Sequence, residues 1–276
     1  MEQQSGDRWA SPDQQTPAPY TGVERRRRTP LLSMRLRDFT VDECVDYMLT
    51  TPRSARDGVG LFVTPNIQHV AAMRSDPEFA AAMQGAQIIV CDGFPVFRYA
   101  QMRGQSLPGR VTGRDVVARM MADMSRLEGH RVFLIVDTQE TATAIRDWLA
   151  ALAPTLAVET LVPPFGFGND PAYCADLVGR IGAFGTTLLF LCVGAPQSEV
   201  FVHRYRALLT PCWALCVGQS FKIVLGITAM PPALMVKLNL EWLWRIMLEP
   251  KRMIARYGPS SVGFLASVLT DLRRRR

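Results

Sequence analysis

The stretch Leu188-Leu189-Phe190-Leu191-Cys192-Val193-Gly194-Ala195-Pro196-Gln197-Ser198-Glu199 places an apolar run directly before a cluster of small and polar residues. A short apolar run that ends at Gly and Pro is typical of a buried strand in a parallel sheet. Two further stretches share the pattern: Leu61–Val63 leads into Thr64–Asn66, and Ile88–Cys91 leads into Asp92-Gly93. In an open α/β sheet, ligands bind beyond the carboxyl ends of the strands. The three polar clusters therefore predict one shared ligand site.

The same alternation of apolar runs and segments with helical spacing extends over most of the chain. It predicts an α/β fold, a Rossmann-like and mainly parallel sheet with helices on both faces, plus a C-terminal helical appendage. Thr40 is the expected N-cap of the first helix. Strands are expected at 60–63, 88–91, 131–136, 157–162, 188–193 and 213–217. Helices are expected at 41–49, 69–73, 76–84, 95–102, 115–127, 141–152, 172–181 and 199–209.

Composition divides the 276 residues into three parts. Residues 1–30 are polar and predict a disordered N-terminal arm, and residues 31–237 predict the α/β domain that carries the site. Residues 238–276 predict a basic, amphipathic, membrane-associating appendage, although a helix packed on the core fits the same composition. Arg25–Arg28 and Arg273–Arg276 are either solvated tails or contacts for an anionic membrane surface. Neither run contains an aromatic residue that could stack on a base, so no nucleic-acid partner is expected.

The cysteines and the hydropathy predict where the protein works. The six cysteines form no C-x-x-C pair, and the start of the chain is polar, unlike a secretory signal. A reducing cytoplasm is therefore expected. No apolar stretch reaches the ~18 residues of a transmembrane helix, so an integral membrane protein is not expected, and a position on a membrane surface stays open.

Six motifs occur in an order and spacing that resemble the WecG/TagA/CpsF glycosyltransferases (glycosyltransferase family 26). They are Thr64-Pro65-Asn66 with His69; Asp92-Gly93; Arg110-Val111-Thr112-Gly113-Arg114-Asp115; Pro163-Pro164-Phe165-Gly166-Phe167; Gly194-Ala195-Pro196-Gln197-Ser198-Glu199; and Glu241-Trp242-Leu243-Trp244-Arg245 with Glu249-Pro250 and Arg252. Each motif is weak alone, but the six in register make a chance similarity improbable. The resemblance extends from about residue 31 to residue 257.

The resemblance implies an inverting transfer of a sugar from a UDP-sugar to a polyprenyl-diphosphate-linked saccharide acceptor in bacterial cell-surface polysaccharide biosynthesis. It implies a peripheral position on the cytoplasmic face of the plasma membrane, with no cofactor and no metal. The Pro163–Phe167 loop is most similar to the exopolysaccharide branch, and N-acetylmannosamine-type transfer is the alternative within the family. The sugar, the acceptor and the oligomeric state, a homo-oligomer included, stay open.

The resemblance gives Asp92 the role of the catalytic base. An inverting transfer needs a group that takes the proton of the attacking hydroxyl. Asp92 follows a predicted strand, and Gly93 would let a sugar or a backbone segment approach closely. The alternative is that Asp92 only caps the helix expected near Pro95.

Substrate contacts are expected from four other residues of these motifs. Thr64 and Asn66 offer groups for sugar hydroxyls or an acetamido group, or form only a turn that enters a helix. Gln197 corresponds to an amide of the family's donor site. Gly194 would let UDP approach the backbone, and the following helix N-terminus would favour its diphosphate, or would be only a capped helix start.

Arginines are expected to stabilise the departing UDP, because the chain has no Asp-x-Asp motif for a divalent cation. For each of them a solvated surface charge is the alternative. The candidates are Arg110, Arg114, Arg245, Arg252 and Arg256.

Two positions depart from the family's pattern. Lys222 follows Gly218-Gln219-Ser220-Phe221, where the family often has Asp, and Val136-Asp137-Thr138 replaces a Gly-rich turn. A cation at position 222 predicts tolerance of other groups, for instance a carboxylate on the donor or acceptor. The second departure changes the nucleotide contacts expected of that loop.

Two other functions compete with sugar transfer. A catalytically inactive membrane-surface binding module of the same fold would fit the loss of Asp at position 222. Loss of the catalytic site is disfavoured because the chain retains Thr64, Asn66, Asp92 and Gln197. A dinucleotide-dependent enzyme is disfavoured because no G-x-G-x-x-G follows the first strand.

Overall fold

The computed structural model describes residues 30–248 and 250–273, except for the side chains of Arg252 and Arg256. The arm expected at residues 1–30 therefore lies outside the described residues, apart from Pro30. The last three arginines of the C-terminal run also lie outside them.

Six strands form one parallel sheet, which confirms the α/β, Rossmann-like prediction. The order across the sheet is β2-β1-β6-β5-β3-β4, and every pairing is parallel. The second strand is shorter than expected, because Val90 and Cys91 continue the apolar run but lie beyond the paired register. The strands are β1 (Gly60–Val63), β2 (Ile88–Ile89), β3 (Arg131–Ile135), β4 (Ala157–Leu161), β5 (Leu188–Leu191) and β6 (Trp213–Cys216).

Six of the described helices begin at a residue whose side chain caps them, and α1 is the first of these. The Thr40 side chain accepts a hydrogen bond from the Glu43 N–H, and the Glu43 carboxylate accepts one from the Thr40 N–H, so the predicted N-cap is confirmed. The helix expected at 115–127 begins earlier, because Thr112 caps it through the Asp115 N–H, and it ends at Met121. The helices are α1 (Val41–Thr50), α2 (Ile67–Ser75), α3 (Pro77–Gln84), α4 (Phe94–Met102), α5 (Gly113–Met121), α6 (Gln139–Leu152), α7 (Pro171–Ala183), α8 (Gln197–Arg204), α9 (Ser220–Val224), α10 (Ala233–Lys237), α11 (Glu241–Leu248) and α12 (Pro250–Arg273).

The core consists of two apolar layers, one on each face of the sheet. Successive side chains of a strand point to opposite faces, so each strand contributes to both layers. Leu189 and Leu191 pack with α2, α3, α4, α7 and α8, whereas Leu188 and Phe190 pack with α1, α5, α6 and α9. All six cysteines are buried free thiols. Helices thus cover both faces of the sheet. The carboxyl ends of the strands remain uncovered by this packing, and the loops that follow the strands lie there.

The C-terminal segment packs back on the sheet domain through α12. A Cβ atom on Gly263 would lie 2.6 Å from the Cβ of Ala71, so glycine is what allows α12 to approach α2 this closely. Near the end of α12, Asp271 accepts hydrogen bonds from the Tyr99 hydroxyl at 2.9 Å and from the Leu32 N–H at 3.3 Å. The helix continues through Pro259. None of the described helices is long and apolar enough to span a bilayer.

Candidate active site

A cavity of about 540 Å³ lies at the carboxyl edge of the sheet. The three polar clusters of the sequence open into it, together with the loops that follow β3 and β6 and with residues of α11 and α12. Parallel sheets bind ligands at this edge, at the point where the loops that follow two neighbouring strands lead to opposite faces of the sheet. The predicted site residues that line the cavity are Thr64, Asn66, Asp92, Arg114, Gly194 and Arg245.

The loops after β1 and β2 lie in direct contact. The N–H groups of Asp92 and Gly93 both donate to the carbonyl oxygen of Pro65, each at 3.3 Å. A Cβ atom on Gly93 would lie 2.8 Å from the Cα of Asn66, so no larger residue fits at position 93 without a shift of the backbone. This close approach holds Asn66 and Asp92 at one wall of the cavity.

Burial raises the pKa of Asp92 to about 6. Desolvation disfavours the charged carboxylate, and the nearby Glu241 adds to this effect. The positive charges of Arg245 and Arg110 act in the opposite direction. A carboxylate whose pKa lies near neutrality is suited to accept a proton during a reaction.

Asn66 and His69 form a capping box at the start of α2. The Asn66 side chain accepts a hydrogen bond from the Gln68 N–H at 2.9 Å, and His69 Nδ1 lies 3.3 Å from the Asn66 backbone nitrogen. The other ring nitrogen, Nε2, lies 3.7 Å from Oε1 of Glu199 in α8. The role of His69 was missed from the sequence, although a polar residue three positions after an Asn is the spacing of a capping box.

The arginines of the α5 region contact Glu241 of α11. Both terminal nitrogens of Arg110 lie 3.0 Å from Glu241 Oε2, and Arg114 Nη2 lies 3.6 Å from Oε1. Arg110 also donates to the carbonyl oxygen of Asp92 at 3.4 Å, but it does not line the cavity. Neither arginine is the solvated surface charge that was the alternative. The pairing of Glu241 with these arginines could not be predicted from the sequence, because the partners are more than a hundred residues apart and leave no local signal.

The loop after β5 separates two of the predicted residues. Gly194, with φ of +88°, lines the cavity, as do Ser198 and Glu199. Gln197 is the first residue of α8, but its side chain packs beside Gly168, where a Cβ atom would lie 3.5 Å from the Gln197 Cγ. Gln197 therefore lies next to the cavity rather than among the residues that line it. The side chains of Arg252 and Arg256 lie outside the described residues.

Comparison with known proteins assigns this arrangement to a family. Residues 29–276 match the model of the glycosyl transferase WecG/TagA/CpsF family. The chain belongs to this family. The resemblance inferred from the six motifs is thus confirmed, and the general activity is that of a glycosyltransferase.

Two curated relatives carry the name N-acetylglucosaminyldiphosphoundecaprenol N-acetyl-beta-D-mannosaminyltransferase. The protein from Bacillus spizizenii strain W23 is 24% identical over 223 residues, which make up 81% of this chain and 84% of the relative. The protein from Bacillus subtilis strain 168 is 24% identical over 196 residues, or 70% of this chain and 73% of that protein. The similarity thus covers most of both relatives.

The two departures from the WecG/TagA/CpsF pattern meet in space. Lys222 Nζ lies 2.6 Å from Oδ2 of Asp137, and Asp137 lines the cavity while Lys222 does not. The ion pair joins the loop after β3 to α9, across the carboxyl end of β5. The cation at position 222 therefore has a carboxylate partner within the chain. Tolerance of a carboxylate on the donor or acceptor stays a prediction.

Over residues 30–248 and 250–273, no three or more His, Cys, Asp or Glu side chains are grouped so that they could hold a metal ion. The positive charges that line the cavity in the described part are the guanidinium groups of Arg114 and Arg245.

Proposed function

We propose that this protein transfers a sugar from a UDP-sugar to a polyprenyl-diphosphate-linked saccharide, with inversion at the anomeric carbon. The observation that carries the proposal is Asp92, a carboxylate with a raised pKa in a cavity that also holds Arg114 and Arg245. A base and positive charges in one cavity are the groups that an in-line displacement of a nucleoside diphosphate requires.

In the proposed reaction, ionised Asp92 accepts the proton of the acceptor hydroxyl as its oxygen attacks the anomeric carbon. The bond from that carbon to the diphosphate oxygen breaks, and its electron pair remains on UDP. Guanidinium groups stabilise the new charge through hydrogen bonds to the phosphate oxygens. A single displacement from the opposite face inverts the configuration. No cofactor and no metal take part in this scheme.

We place the reaction on the cytoplasmic face of the bacterial plasma membrane, where residues 31–237 supply the catalytic domain and residues 238–276 the contact with lipid. Exposed apolar side chains C-terminal to residue 237 support this division, because such a surface is stabilised by contact with a bilayer. They are Leu238, Trp242, Met247, Leu248, Ile254, Val262, Leu265 and Leu269.

The test is a turnover assay with purified protein, a panel of UDP-sugars and polyprenyl-diphosphate-linked acceptors. The names of the curated relatives make UDP-N-acetylmannosamine and N-acetylglucosaminyl-diphosphoundecaprenol the first pair to try, and exopolysaccharide-type donors follow. We expect turnover that is undiminished in excess EDTA. Binding of UDP and of vesicles without turnover of any pair would favour the inactive binding module instead, and dependence on magnesium or manganese would contradict the role of the arginines.

Asp92→Asn should abolish transfer and leave UDP binding intact. Asparagine has nearly the same shape but cannot accept the proton, and loss of a general base typically costs about 10²–10⁴ in rate. Single-turnover kinetics and calorimetric titration with UDP measure the two effects separately. The exposed Asp147→Asn of α6 serves as the matched control. Undiminished turnover by the Asp92 variant would remove Asp92 from the role of base.

A further inference from the structure

Glu199 is a buried carboxylate for which the proposed reaction has no use. It lies in the first turn of α8, lines the cavity and is only 2% exposed. Its Oε1 lies 3.7 Å from His69 Nε2. Its Oε2 is enclosed and has no hydrogen-bond partner in the described part of the chain.

An enclosed carboxylate oxygen without a donor is unfavourable in the free protein. Leaving such a group unsatisfied destabilises the folded state, and more strongly when the group is charged. His69 reaches only Oε1, whatever its protonation state, because its other nitrogen is directed to Asn66. A native structure that retains an unpartnered group of this kind at a cavity points to a ligand that supplies the donor.

The chemistry of Glu199 limits which part of the donor it can contact. A carboxylate accepts hydrogen bonds from O–H and N–H groups and repels a diphosphate. Glu199 and His69 belong to α8 and α2, which cover one face of the sheet, whereas Arg114 belongs to α5 on the other face. The cavity thus has the Glu199 carboxylate on the α2–α8 side and the Arg114 guanidinium, which is paired with Glu241, on the α5 side.

We propose that Glu199 binds the transferred sugar, with Oε2 accepting a hydrogen bond from a hydroxyl or an acetamido N–H of the hexose. The diphosphate then lies toward Arg114 and Arg245, and not against the N-terminus of α8. This inference rests on the proposed function and specifies which residue binds the sugar and which residues bind the diphosphate. Glu199 is the last residue of the family motif Gly194–Glu199, but the sequence does not show that its carboxylate is buried.

The test compares UDP with the UDP-sugar of highest turnover, using calorimetric titration of the full-length wild type and of Glu199→Gln. The variant should bind UDP within about twofold of the wild type and lose roughly ten- to hundredfold in affinity for the UDP-sugar, because a hydrogen bond to a charged group contributes about 1.5–3 kcal/mol. Glu140→Gln is the matched control, since Glu140 also lies in the first turn of a helix but is exposed. It should change neither affinity.

Thermal unfolding without ligand separates sugar binding from a structural role. Glu199→Gln should not lower the Tm of the free protein, because Oε2 has no hydrogen-bond partner among the described residues that the substitution could remove. A lower Tm with equal losses for UDP and UDP-sugar would make Glu199 a structural residue and overturn the proposal. An unchanged affinity for the UDP-sugar, or a loss confined to the acceptor KM, would overturn it as well. If the wild type turns over none of the UDP-sugars, it is the proposed function that fails.

Discussion

Asp92 has to be ionised before it can accept a proton, and its pKa is raised to about 6 by burial. Below that pH the carboxyl already carries the proton, so kcat/KM should rise with pH up to about 6 and level off above about 7. The kcat/KM profile is the appropriate measurement, because it reports the free enzyme. A flat profile between pH 5 and pH 7 would be incompatible with this assignment.

The ion pair between Asp137 and Lys222 allows a charge-reversal experiment. Asp137→Lys or Lys222→Asp alone places like charges side by side, whereas the double variant restores a pair of opposite charges. Partly exposed pairs contribute about 0.2–1 kcal/mol, so each single variant should lower Tm by a few degrees and the double variant should recover most of the loss. If the two losses simply add in the double variant, the charges do not interact.

A site residue could be predicted from the sequence where the residues next to it along the chain indicate its position. Thr64 and Asp92 follow apolar runs directly and Asn66 comes two residues after Thr64, so their position at the strand ends follows from the pattern. Gln197 also follows such a run, but one turn of helix decides that Ser198 and Glu199 line the cavity and Gln197 does not. The partners of Arg110 and Lys222 depend on long-range contacts, which a single sequence does not reveal.

The existence of the strands was easier to predict than the ends of the elements. All six expected strands are present, although β2 is shorter than expected, and α5 and α8 both end several residues before their expected ends. The early start of α5 has a local cause, the cap at Thr112. The character of residues 250–273 was harder to predict. A long helix with Pro259 inside it is favoured only once α12 packs along α2, which is a tertiary contact.

The exposed apolar face of α12 gives a prediction about membrane contact. Replacing Val262, Leu265 and Leu269 by Ser should weaken sedimentation with anionic vesicles without loss of folding, because these side chains are exposed. The control replaces the exposed Leu152 and Leu208 of the sheet domain by Ser. Equal vesicle binding by both variants would exclude α12 as the contact.

Removal of the C-terminal helices should abolish membrane contact and activity together, because these helices are packed on the sheet domain and also line the cavity. A protein cut after Asn239 lacks Glu241, Trp244 and Arg245, which line the cavity, as well as the helix packed on α2. We expect vesicle association and turnover to fall together, measured by sedimentation and by the transfer assay. Circular dichroism shows whether the truncated sheet domain is folded. A folded, truncated protein that still sediments with anionic vesicles would refute the prediction.

The contact between Gly263 and Ala71 has a consequence for the history of the family. Their Cβ positions would be 2.6 Å apart, so the space between the two helices holds one methyl group and no more. Over evolutionary time a larger residue at one position can be accepted only if the other shrinks to glycine. We expect an alignment of relatives to show covariation at these two columns, with their side-chain volumes anticorrelated. Independent variation of the two volumes would mean that the helices separate in those relatives.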